Sequence, residues 1–151
     1  MNPTLQLAFF NSPYYAILGA SSNPAKFGNI LLKWYNNHIP DASSKVFGIN
    51  PAGGEIEGLK ILKSIEEIPN PTQTSLSVVT PPATTASLLP LTKSLGIPHL
   101  WLQPGAEDDA VVKLIKELGM EDRVIFGGPC VLVRGEALMN TVQSRTKEGL
   151  L

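Results

Sequence analysis

The chain predicts a single doubly wound α/β domain built on a five-stranded parallel sheet. Three observations carry this. Apolar runs of strand length recur five times and are nearly continuous rather than alternating, the pattern of strands covered on both faces. Segments of helical periodicity fill most of the gaps between them. Each run closes on a loop rich in Gly and Pro, as expected at the ligand-bearing rim of such a sheet.

Taken in order, residues 1–12 carry a weak pattern and read as an extension that wraps the domain or frays. The first strand is predicted over 14–19, YYAILG. In the following FGNILLKWYNNH, residues Phe27, Ile30, Leu31, Trp34 and Tyr35 recur at spacings of three and four, one helix face. The second strand is SKVFGIN, 44–50, after which SIEEIP has room for only about one or two helical turns. The third strand is TSLSVVT, 74–80. Pro90 lies inside the next helical segment, PPATTASLLPLTKSLG, and requires a kink or a late start. The fourth strand is HLWLQP, 99–104. EDDAVVKLIKELG then has acids in its first turn, lysines later and Gly119 as a stop, all in agreement with the helix dipole. RVIFGG, 123–128, is the fifth strand; the domain is bounded at 13–139, with 140–151 as a tail. Right-handed crossovers bring GASSNP, NPAGGE, TPPATT, QPGAED and GGPC to one end of the sheet.

Bulk properties narrow the function. The 151 residues are 43% hydrophobic and 17% charged, values of a globular protein with a sizeable core. Twelve basic and thirteen acidic side chains give a net charge of −1 without runs of like sign, which argues against nucleic acid or an anionic membrane surface as partner. Cys130 alone excludes an intrachain disulfide and a multi-cysteine metal cage. No apolar stretch reaches the roughly 18 residues of a membrane span. MNPTLQLAFFNSPYY contains no basic residue, unlike a secretory or transit leader, so the expected compartment is cytoplasmic.

The first loop, ILGASSNPAKFG over 17–28, is suited to an anion. Gly19 lets the chain turn without a Cβ clash, and Ser21, Ser22 and Asn23 can cap a helix or donate to phosphate oxygens. Pro24 is expected at the first helical position, with backbone N–H groups facing a bound diphosphate. Lys26 adds a mobile positive charge, and Gly28 permits close approach of helix and strand. As a G-x-G-x-x-G loop it fails, since Ser21 and Pro24 replace the second and third glycines. Strand two ends in Asn50 rather than the acid that would hold an NAD ribose, so plain NAD binding is disfavoured.

Together ILGASSNPAKFG, INP, VVTPPATT and WLQPGAED resemble the stand-alone CoA-binding domain proteins, over roughly residues 12–134. These are similar to the Rossmann-like N-terminal domain of the succinyl-CoA synthetase alpha subunit and of NDP-forming acyl-CoA synthetases. The resemblance implies coenzyme A or an acyl-CoA as ligand. It puts the diphosphate against Gly19, Ala20, Ser21, Ser22 and Asn23, with Lys26, Phe27 and Gly28. It also implies that Asn50 and Pro51 border the adenosine, and that Thr80, Pro81 and Pro82 line the nucleotide from strand three. Gln103, Pro104 and Gly105 would follow the pantetheine side, with Gly128, Pro129 and Cys130 at the far edge. One departure stands out. Many relatives place a lysine after the Asn-Pro pair, where this chain has Ala52; Lys45 or Lys60 would have to replace it against a ribose phosphate. The large synthetases also use a phosphohistidine domain and an ATP-grasp partner, and this chain ends before either.

The remaining reactive side chains read as structural. His38 lies at a helix C-terminus, where an imidazolium suits the dipole, and His99 opens a strand. Glu107, Asp108 and Asp109 suit a helix first turn, and Trp34, Tyr35 and Trp101 read as core. The thiol of Cys130 either opens onto the rim or is a small buried group; no His or Lys adjoins it in sequence to lower its pKa. No metal-ligand spacing occurs, and nothing assembles a nucleophile, a base and an orienting group. The expected function is therefore binding of CoA or an acyl-CoA without turnover by this chain alone. The alternatives are a detached CoA-binding subunit of an NDP-forming acyl-CoA ligase, which needs a ligase partner chain, and a nucleotide sensor that changes a protein contact or its own homo-oligomer.

Overall fold

Each of the five predicted runs forms a parallel strand in the computed structural model, which describes residues 3–150. They are β1 (Tyr14–Leu18), β2 (Val46–Ile49), β5 (Thr74–Val78), β6 (His99–Leu102) and β7 (Val124–Ile125). The sheet itself has seven strands rather than five. Between β2 and β5 a hairpin joins β3 (Gly54–Ile56) to β4 (Leu59–Leu62), with β4 parallel to β2 and β3 antiparallel at the edge. Ile56 pairs with Leu59, so Glu57 and Gly58 form a two-residue turn. Both have positive φ, 55° and 78°, as a type I′ turn requires.

Strand order is β3-β4-β2-β1-β5-β6-β7. The chain builds outward from β1 on one side, then returns to build outward on the other. The order therefore reverses at β1, where such sheets open a crevice beyond their carboxyl ends.

Helices cover both faces. One face carries α2 (Phe27–His38), α6 (Val131–Lys147) and α1 (Pro3–Phe9); its core includes Tyr15, Ile17, Leu31, Leu32, Tyr35, Trp101 and Leu138. The other carries α4 (Pro82–Ser94) and α5 (Asp109–Glu117) over Leu18, Leu76, Val78, Leu89, Leu100, Val111 and Ile115. A short α3 (Ala42–Lys45) precedes β2. Helix α4 starts at Pro82 and runs through Pro90 instead of starting late. Asp108 caps α5 by accepting from the Val111 N–H at 2.9 Å.

The weakly patterned N-terminal segment is packed. Phe9 and Phe10 at the end of α1 are buried in an aromatic cluster, with Phe9 edge-on to Trp101 at 5.5 Å. Helix α6 continues past Met139, with Val142 buried. Among the described residues no helix is long and apolar enough to cross a membrane.

Candidate functional site

The loop after β1 is held by backbone and amide contacts. Gly19 and Ala20 both donate their N–H to the Ile49 carbonyl, at 3.1 and 3.2 Å. Asn50 Nδ2 donates to the Ala20 carbonyl at 2.8 Å, while Asn50 Oδ1 accepts from the Ala52 N–H at 2.9 Å. Asn29 Nδ2 donates to the Ser21 carbonyl at 2.9 Å. Two carbonyls that would repel a bound anion are thus engaged by side-chain amides. Gly19 has a φ of 96°, and a Cβ there would lie 2.7 Å from Val79 Cγ2. A Cβ on Gly28 would run into the Gly19 carbonyl oxygen, so helix and loop meet only because residue 28 is glycine.

Helix α2 begins at Phe27, later than the Pro24 start predicted from sequence. Asn23 Oδ1 accepts from the Ala25 N–H at 3.0 Å, and Ser21 Oγ accepts from the Asn23 N–H at 3.1 Å. These local bonds form a separate turn that competes with the helix. Lys26 is the residue before the helix, and its side chain makes no cap.

Beside this loop lies a cavity of about 620 Å³, within the roughly 300–1,000 Å³ range of small-molecule sites. Gly19, Ala20, Ser21, Lys26, Phe27 and Gly28 form one wall, and Ile49, Asn50 and Pro51 the next. Val79 and Thr80, which follow β5, line it as well. Thr80 keeps its hydroxyl 2.9 Å from that of Thr85. These strand ends meet where the strand order reverses.

The other expected residues do not line this cavity. Ser22 and Asn23 are exposed in the turn before α2, and Pro81 and Pro82 start α4. Gln103 is fully buried: its Oε1 accepts from the Val131 N–H at 2.9 Å, which fixes the start of α6. Pro104 and Gly105 are exposed beyond it. Cys130 is half-buried at the N-terminus of α6. The segments from β6 onward and from β7 onward tie to each other instead of to the cavity. Glu107 Oε1 accepts from the Gly127 N–H at 2.7 Å, and Trp101 Nε1 donates to the Pro129 carbonyl at 3.2 Å.

Sequence reasoning missed two walls. Lys63, Ser64, Ile65 and Glu66 follow the unpredicted hairpin. Thr84, Leu88 and Leu91 come from α4, and their spacing of four and three was the available signal, obscured by Pro90. Neither Lys45 nor Lys60 lines the cavity. Lys45 precedes β2, at the opposite end of the sheet, beside a smaller 180 Å³ hollow, and Lys60 sits exposed within β4 opposite Glu55. Among the described residues the ion pairs are Lys33–Glu57 and Lys113–Glu117, so Lys26 and Lys63 carry no ion-pair partner.

Neither histidine lines the cavity. His38 Nδ1 is 2.8 Å from the Trp34 carbonyl, with its ring stacked on Trp34 at 4.3 Å. Burial, and then the charge of Arg123, push the His99 imidazole below its ordinary range.

A family model described as "CoA binding domain" matches residues 14–136, which include every residue lining the larger cavity. Two curated relatives are the alpha subunits of ADP-forming acetate–CoA ligases I and II of Pyrococcus furiosus. The first is 35% identical over 80 residues, half of this chain and 16% of that subunit. The second is 34% identical over 71 residues, 47% of this chain and 15% of that subunit. The chain thus corresponds to about one sixth of these subunits. Among solved structures, a conserved hypothetical protein from P. furiosus aligns with a TM-score of 0.66 and 34% identity, covering 80% of this chain and 97% of that one. A hypothetical protein from Pyrococcus horikoshii gives 0.73 at 21% identity, covering 92% and 93%. A Thermus thermophilus protein gives 0.71 at 26% identity, covering 91% and 99%.

Proposed function

The chain belongs to the CoA binding domain family, and from that premise we propose that it binds the nucleotide end of coenzyme A or an acyl-CoA in the 620 Å³ cavity. The observation that carries the reading is the cavity's position and lining: an apolar crevice at the strand-order reversal, edged by a glycine-bearing loop and by unpaired lysines. In this reading the diphosphate lies against the Ser21–Gly28 segment. The Lys26 carbonyl accepts from the Asn29 and Ile30 N–H groups, so the N–H groups of Phe27 and Gly28 are those offered at the start of α2, and the Lys26 side chain supplies charge. Ile49, Ile65, Leu88 and Leu91 provide the apolar surface for the adenine. The role proposed is binding; the chain's own residues at the cavity include no nucleophile–base pair for a reaction on the ligand.

Calorimetric titration with CoA tests it. Lys26 is exposed, so Lys26→Met should leave the fold intact. Loss of a charge-assisted hydrogen bond, about 1.5–3 kcal/mol, lowers affinity about tenfold or more. Absence of heat from CoA with the unsubstituted protein overturns the reading, and unchanged affinity in Lys26→Met overturns the placement of the diphosphate.

A second reading is favoured by the match to ligase alpha subunits: a CoA-carrying part of an acyl-CoA ligase, completed by another chain. Copurification with an ATP-grasp protein, and CoA-dependent nucleotide hydrolysis only when both are mixed, are its expected signs.

A further inference from the structure

We propose that Lys63 recognises a phosphate on the ribose of the bound nucleotide, so that the site selects CoA over its 3′-dephospho form; this rests on the CoA-binding reading above. The placement follows from register. Ile49 pairs with Leu62 across the parallel β2–β4 ladder, and the Asn50 N–H donates to the Leu62 carbonyl at 2.9 Å. The next residue of each strand, Asn50 and Lys63, therefore emerges side by side at the cavity rim. Gly53 closes the Asn50–Gly53 turn with a φ of 66°, and a Cβ there would lie 3.1 Å from Lys63 Cε and 3.2 Å from Cγ. The lysine stem thus lies along this turn, in space that any side chain at 53 would fill.

The charge pattern fits a ligand with two separate anionic groups. Lys26 ends the loop after β1 and Lys63 follows β4; the two strands lie two spacings, roughly 10 Å, apart, and both lysines line the cavity. Apolar Ile49 and Ile65 line the cavity with them. Glu66 lines the same cavity, yet it is not within ion-pair distance of Lys63, and the Glu67 carboxylate is taken by the Lys63 backbone N–H at 2.6 Å. A diphosphate at Lys26 leaves Lys63 for a phosphate carried elsewhere on the nucleotide. The 3′-phosphate of CoA supplies that group, and dephospho-CoA, ADP and NAD lack it.

The test is calorimetry at fixed low ionic strength with CoA and 3′-dephospho-CoA. The unsubstituted protein is expected to bind CoA at least tenfold more tightly. Lys63→Met should lower CoA affinity by that factor and change dephospho-CoA affinity by less than twofold. Lys63→Glu should reverse the preference, and Lys60→Met, within β4 and away from the cavity, should retain it. Equal affinity for the two ligands, or full discrimination kept by Lys63→Met, overturns the proposal while leaving CoA binding in place. Failure of both ligands to bind the unsubstituted protein removes the underlying reading, and this proposal with it.

Discussion

Gly28 sets the distance between the first strand and the first crossover helix. Gly28 faces the Gly19 carbonyl with no room for a methyl group. Gly28→Ala therefore forces α2 away from the loop, and overpacking of this kind costs about 1–3 kcal/mol. The expected result is a lower urea midpoint with an unchanged slope. Substitution of Gly19 would combine a positive φ with the Val79 contact, so it probes the fold before it probes ligand binding. Lys26 and Lys63, both exposed, are the cleaner probes. His99 offers a pH test. Its Nδ1 is buried without a hydrogen-bond partner, and its folded-state pKa lies below the ordinary 6.5. As pH falls below about 6.5 the unfolded chain takes up the proton first. The stability contributed above that pH is lost as the lowered folded-state pKa is passed. Urea midpoints should fall as the pH drops below about 6.5, and fall less in His99→Gln.

At the scale of elements, the helix least visible in the sequence is among the best packed at its end. Seven residues of α1 are too few to show a period, so the segment read as an extension. Phe9 is nonetheless fully buried against Trp101 and Phe10. Phe9→Ala should destabilise by about 3–5 kcal/mol, measurable as a shift in chemical unfolding, because a large aromatic leaves a cavity. The parallel strands were legible because burial on both faces makes their apolar runs continuous. The β3–β4 hairpin was not. Its strands are three and four residues long, Glu55 and Lys60 face solvent, and its turn is Glu57-Gly58 rather than the stronger Asn-Gly or Asp-Gly signal. The start of α2 was misplaced for a related reason: Asn23-Pro24 caps a turn of its own before the helix begins.

For the whole molecule, half of the site could be read from the chain because half of it depends only on which loops follow which strands. The loops after β1, β2 and β5 meet because those strands are neighbours. The loop after β6 is the next neighbour, with the Gln103 N–H donating to the Val78 carbonyl at 2.9 Å, but the Gln103 side chain is spent on the start of α6, a contact that sequence does not state. Lys63 and Glu66 were missed with the hairpin that delivers them. If the cavity binds CoA, ligand stabilises the folded state by mass action, about 2.7 kcal/mol at one hundred times Kd. For a domain of this size that is a rise in Tm of roughly 5–10 °C, and Lys26→Met should reduce it at the same CoA concentration.

The hairpin has another effect, on polymerisation. A sheet with two long open edges is a template for strand addition from a second molecule. Here one edge is β3, three residues with Glu55 facing solvent, and the other is β7, two residues. Neither offers a ladder long enough to seed a cross-strand fibre. Association of folded copies is left to the helical faces, where Ile30 and Val133 are the exposed large apolar side chains of α2 and α6.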